Sequence, residues 1–201
     1  MAKVFDRIDD KLRGFIAEQP MFFVGTAPSA GGHVNVSPKG YRDTFAVIDD
    51  HTVAYLDLFG SGAETIAHLR DNGRITVMFC SFTRTARILR LFGTGRIVRP
   101  DSDEFAMLSA HFGLEHTGIR AVIAISVERI ADSCGWSVPY LELVEERSIL
   151  DEAHTRRTDA DFARRIAGDN SASIDGLPAL EADHPLPSQV PRARTPQAVE
   201  G

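Results

Sequence analysis

Cysteine is nearly absent from this 201-residue chain, with Cys80 and Cys134 the only two. That excludes a disulfide scaffold and a four-thiolate zinc site, and it fits a reducing, cytoplasmic compartment. Long apolar runs are missing as well. No stretch is apolar for long enough to span a bilayer, and the amino-terminal MAKVFDRIDDKLRGF mixes charges with hydrophobics where a signal peptide needs an unbroken apolar core. No membrane partner is therefore expected. Positive charge is in short supply, since 22 Lys+Arg stand against 28 Asp+Glu for a formal net charge of -6. This argues against nucleic acid as the partner. The seven histidines show no metal-ligand spacing, and neither a Ser–His–Asp nor a Cys–His arrangement can be assembled, so no metal site and no catalytic triad are expected.

What is present is an ordinary globular composition, 43% hydrophobic and 25% charged, of a length that suits one domain and a tail. Phe5, Ile8, Leu12, Phe15 and Ile16 recur at helical spacing, which predicts one amphipathic helix over residues 1–20, stopped by Pro20. Short runs rich in β-branched and aromatic residues follow: MFFVGTA, HVNVS, FAVI, TVAYLDL, RITVMFCSF, ARILRLFGTGRIV and RAVIAISVERI. Closely spaced strands with few helices between them predict an antiparallel barrel or sandwich. Two helices interrupt the series. One should open at Ser61, with Ser61 and Glu64 as a capping box and Gly73 as its stop; the other follows Pro100, where Asp101 and Ser102 compete for the cap and Phe105, Leu108 and Phe112 form the buried stripe. After the last strand SCGWSVPYLELV reads as irregular or extended, and residues 148–167 as helical.

Domain organisation follows from a shift in composition. Residues 1–167 hold the barrel signals and the amino-terminal helix. Residues 168–201 contain five of the ten prolines and no aromatic residue, so they cannot build a core and read as a tail, with SIDGLPAL (173–180) the part expected to dock.

Four segments can carry chemistry. GSGAET (60–65) follows a strand and opens a helix, where free N–H groups and the helix dipole meet an anion; taken alone it is equally a capped tight turn. It is not a Rossmann fingerprint, because Thr65 replaces the third glycine and no acidic residue ends the next strand. HVNVSPKG (33–40) runs into a turn bearing Lys39, one of three lysines against nineteen arginines; alone it reads as a solvated turn. Arg87 and Arg90 face opposite sides of a regular strand, so one at most enters a common site unless a bulge intervenes. Trp136, beside Cys134, offers a flat face that suits a core, an interface or a ligand ring.

In sequence order, VNVSPKG, YLDLFGSGAET, RITVMFCSF, RILRLFGTGRIV and SCGWSVP resemble the pyridoxamine 5′-phosphate oxidase-like family of FMN-binding split β-barrels, across residues 20–140, with SIDGLP similar to the same branch. The resemblance implies a mainly β (α+β) fold, a six-stranded antiparallel split barrel with flanking helices. It also implies a homodimer with FMN in an interface groove. Carried over, Asn35, Val36, Ser37, Pro38 and Lys39 would line the isoalloxazine and its chain, and Ser61, Gly62 and Thr65 would meet the phosphate. Arg87 or Arg90 would add positive charge, and Trp136 with Cys134 would approach the ring from the partner subunit. The chain also departs from the oxidase proper. It has Ser61-Gly62-Ala63-Glu64 where that enzyme has a Ser-Arg-Lys grip, Ile88 where it has a glutamine between two arginines, and no carboxy-terminal Trp with Arg-Leu-His for the pyridoxal substrate. An FMN-dependent oxidoreductase acting on another small molecule is the expected function, with no catalytic side chain assigned. A deazaflavin or haem cofactor and a non-catalytic flavin- or haem-binding or sensing module on the same barrel are the alternatives.

Overall fold

The computed structural model describes residues 3–113 and 115–191. The last ten residues, with Arg192 and Arg194 of the proline-rich segment, lie outside the described residues. Residues Val4–Phe5 (β1) form a strand, and the predicted amino-terminal helix is confined to Asp10–Glu18 (α1). Two causes shorten it: β1 is drawn into the sheet by pairing with Ile130 and Ala131, and the Asp9 side chain accepts from the Leu12 N–H and so starts the helix there. Leu12, Phe15 and Ile16 form its buried face, as their spacing predicts.

The strands Phe22–Thr26 (β2), Asn35–Lys39 (β3), Phe45–Val47 (β4), Thr52–Leu58 (β5), Arg74–Cys80 (β6), Arg87–Val98 (β7) and Ile119–Cys134 (β8) coincide with the seven sequence runs. With β1 they make an eight-stranded sheet in the order β3-β2-β6-β7-β8-β5-β4, with β1 also on β8 and every pairing antiparallel. The count is eight rather than six, and the class is the expected split barrel. The sheet curls because its two ends, β3 and β4, are joined by the short connection 40–44, and aromatic side chains close the inside. Phe22 on β2 meets Phe45 on β4 edge-on at 4.9 Å and Tyr55 on β5 at 5.5 Å. A bulge at Phe92/Gly93 bends β7 against β8, and only glycine fits there, since a Cβ on Gly93 would lie 2.0 Å from the Ser126 carbonyl oxygen.

The helices Glu64–Asn72 (α2), Asp103–Ser109 (α3), Ile149–Thr155 (α4) and Asp159–Ala167 (α5) flank the sheet. Ser102 wins the cap of α3 by accepting from the Phe105 N–H, and Gly73 ends α2 at φ 72°. The helical stretch 148–167 is broken in two because Thr158 and Asp161 form a capping box that starts α5 afresh. Residues 168–191 pack on the barrel. They build no core of their own, but Ala179 and Leu180 join the main core and Val190 joins a second cluster with Phe105, Phe112 and Ile119. No helix among the described residues is long and apolar enough to cross a membrane.

Candidate functional site

The loop between β5 and α2 does not have the predicted cap. Ser61 is exposed, Ala63 takes the cap position, and no side chain satisfies the first N–H groups of α2. Glu64 does not cap the helix: its Oε1 accepts from the Ile174 N–H at 2.9 Å in the docked segment after Gly168 and lies 4.0 Å from where a Cβ on Gly62 would stand. The loop carbonyls face inward. The Gly60 carbonyl accepts from Arg165 Nη1 at 3.1 Å and Asn170 Nδ2 at 3.5 Å, and the Gly62 carbonyl accepts from Arg120 Nη1 at 3.0 Å. Among the described residues, no protein acceptor meets the N–H groups of Ser61, Gly62 or Ala63. Such free N–H groups at a helix start favour an anion.

Beside this loop runs the inward face of β3. Asn35 Nδ2 donates to the Thr65 hydroxyl at 3.3 Å, Ser37 donates to Asn35 Oδ1 at 3.2 Å, and Lys39 Nζ donates to Asp57 Oδ1 at 3.2 Å. Val36 and Pro38 alternate outward and are exposed, as the two-residue period of a strand requires. Asp57 on β5 is fully buried, and Arg120 on β8 holds its second oxygen with Nε and Nη2, both at 2.7 Å. Burial alone would raise the Asp57 carboxyl, but the charges of Arg120 and Lys39 outweigh it and hold the group below the usual carboxylate value. Next to Thr65 the Tyr55 hydroxyl is fully buried with no hydrogen-bond partner, and burial raises its pKa well above the ordinary phenol.

The structure thus brings together Asn35, Ser37, Lys39, Ser61, Gly62 and Thr65, and it adds Asp57, Arg120, Arg165 and Asn170. Sequence reading missed Arg120, Arg165 and Asn170 because each lies far along the chain from the loop it serves, and Asp57, three residues before Gly60, because its partners Arg120 and Lys39 are distant. An aspartate inside the apolar run TVAYLDL was the one local signal. Arg87 and Arg90 do not join the group. They do face opposite sides: Arg87 pairs with Asp132 at 2.8 Å over the rings of Phe5 and Phe15, and Arg90 donates to Ser133 at 3.0 Å. Trp136 is 86% exposed in the single chain. Cys80 and Cys134 are both free thiols.

A second polar cluster lies beside a hollow of about 660 Å³ near Tyr41. His116 there meets Asp151 through Nδ1 at 3.0 Å and Asp43 through Nε2 at 3.1 Å, and Tyr41 stacks on its ring at 4.8 Å. Burial lowers the imidazole pKa, but the hydrogen bonds and charges of Asp151 and Asp43 more than offset it and leave the value raised. The arrangement ties α4 to the turn after β3. Its partners come from three distant segments, so its sequence spacing was silent.

The sequence profile described as "Pyridoxamine 5'-phosphate oxidase" matches residues 8–134. The Pyridoxamine 5'-phosphate oxidase family protein ustO of Aspergillus flavus is 42% identical over 193 residues, spanning 89% of this chain and 78% of that one. Among solved structures, a variant HupZ of Group A Streptococcus is similar with a TM-score of 0.50 at 24% identity, over 63% of this chain and 99% of its own. An FMN-binding protein of Syntrophomonas wolfei is similar at a TM-score of 0.46 and 15% identity, over 66% of this chain and 85% of its own.

Proposed function

The chain belongs to the pyridoxamine 5′-phosphate oxidase family, and from that premise we propose that it binds FMN and acts, as a homodimer, as a flavin-dependent oxidoreductase on a small molecule. The observation that carries this reading is the loop at 60–63, whose carbonyls are drawn inward by Arg165, Asn170 and Arg120 while its N–H groups are left for an anion. The donor set fits the cofactor: N–H groups and the Thr65 hydroxyl suit a phosphate, and the β3 row of Asn35, Ser37 and Lys39 suits the polar edge of a ring. The unpartnered Tyr55 hydroxyl beside Thr65 is a further sign of a polar group not yet in contact.

When bound, FMN would supply hydride chemistry. The residues of the chain bind and orient. Ser61, Gly62 and Thr65 hold the phosphate, while Asn35, Ser37 and Lys39 fix the ring edge, with Lys39 keeping donors free beyond the one it gives Asp57. Val36 and Pro38 lie on the exposed face of β3, where a partner subunit would meet the groove. Cys134 and Trp136 would shape the site beside the ring for a flatter or less anionic molecule than pyridoxamine 5′-phosphate.

Titration with FMN followed by flavin fluorescence tests the reading, together with the absorbance spectrum of the purified protein and its bleaching by NADH or NADPH. Flavin absorbance that bleaches is the expected result. Flavin absorbance that resists every reductant would favour a non-catalytic module, and a Soret band would favour haem. A colourless protein with no FMN binding by calorimetry at high micromolar concentration would sink the proposal.

A further inference from the structure

The phosphate loop has no cation of its own, since Ser61-Gly62-Ala63-Glu64 stand where the oxidase-like pattern places an Arg-Lys pair. We infer that Arg120 and Arg165, braced by Asn170, supply the missing positive charge from behind this loop and set its peptide planes for the FMN phosphate; the inference rests on the flavin reading above.

The peptide geometry is the first support. In a planar trans peptide the carbonyl and the N–H point in opposite directions. Arg165 and Asn170 hold the Gly60 carbonyl, so the Ser61 N–H is aimed the other way, and Arg120 on the Gly62 carbonyl does the same for the Ala63 N–H. Both N–H groups then lie on the side away from the two guanidinium groups, where Ser61 is exposed. The second support is rigidity. Arg120 is 3% exposed and Asn170 fully buried; Asp57 holds Arg120 by Nε and Nη2, Asn170 Oδ1 accepts from its Nη1 at 2.9 Å, and the Phe59 ring lies 5.6 Å from the guanidinium carbon. The donors are therefore fixed before any ligand arrives.

The third support is charge. In the layer behind the loop Lys39, Arg120 and Arg165 are three cations, and Asp57 is the one carboxylate bonded to them. Over these direct bonds the cations exceed the carboxylates by two; Asp161 and Asp169 line the same hollow as Arg165, and Glu64 Oε1 accepts from the Ile174 N–H. A phosphate monoester carries a charge of about −1.5 to −2 at neutral pH and would balance that excess. Arg120 is buried and its charge is weakly screened, while Arg165 and Lys39 are half-buried and act at closer range.

Comparing FMN with riboflavin, which has the same ring and no phosphate, isolates the effect. The Arg165→Met protein should bind FMN ~10-fold more weakly than wild type and riboflavin within about twofold of it. Arg165→Lys should restore most of the FMN affinity, and the melting temperature should report an intact fold in both. Arg120→Lys is the second arm and should shift the FMN-to-riboflavin ratio in the same direction. Equal weakening of both ligands by Arg165→Met would make the residue a general support of the groove and overturn the inference. FMN binding by wild type that Arg165→Met leaves unchanged would overturn it alone, whereas wild type that binds no FMN overturns the flavin reading as well.

Discussion

Asp57 has no water to solvate it and survives as an anion because Arg120 and Lys39 hold one oxygen each. Replacing it by Asn leaves a buried guanidinium without a counter-charge, and we expect Asp57→Asn to cost about 3–5 kcal/mol in urea unfolding. Its depressed pKa places the pH limit on the acid side. The contribution is present above the unfolded value and is lost as pH falls through the folded one. His116 has the opposite sign. Its pKa is raised by Asp151 and Asp43 against burial, so its contribution is full below the unfolded value near 6.5 and fades as pH climbs through the folded one. His116→Gln should therefore lower the melting temperature most in mildly acidic buffer and least in alkaline buffer. Melting curves of both proteins across that range check it, and a difference that grows with pH would count against the clamp.

Elements were legible where a period repeats and illegible where a distant partner decides. Seven strands follow from β-branched runs and the end of α2 from Gly73, all local signals, while Asp101 and Ser102 were equal candidates for the cap of α3 until the structure gave it to Ser102. The start of α2 was not local. Ser61 and Glu64 have the spacing of a capping box, but Arg120 and Arg165 pull the loop carbonyls inward and Ile174 takes the Glu64 carboxylate. The proline-rich segment likewise borrows a core it could not build. Leu180 and Val190 are buried on the barrel, and His184 Nε2 donates to the Arg120 carbonyl at 2.8 Å. Truncation after Gly168 should therefore be costly, with Leu180 and Val190 alone worth about 1.5–3 kcal/mol each. An unchanged melting temperature would show that the segment only drapes over the surface.

At the scale of the whole molecule, one stretch of the single chain is conspicuously uncovered. Trp136, Tyr140, Leu141, Val144 and Ile149 are all more than half exposed, with Val144 at 90%, within a segment that leaves the end of β8. Large apolar side chains left exposed in one segment point to an interaction site. A second copy is the occupant we expect, and sedimentation should give a dimer. Trp136→Ala should then weaken association by about 2 kcal/mol or more, as a buried aromatic anchor does. A monomer with full flavin occupancy would refute a groove shared by two subunits.

The sequence by itself determined seven of the eight strands, the antiparallel class, the family and the place of the loop at 60–65, because alternation, turn residues and a fixed motif order are properties of neighbours along the chain. Only the tertiary structure decided what stands behind that loop. Arg120 and Asn170 lie more than fifty positions from the groups they hold, and Arg165 lies 105 from Gly60. Folding the sheet into a barrel pays the entropy of those long closures through burial of its core. No pattern within a window of sequence can report charges that meet only once the barrel has closed.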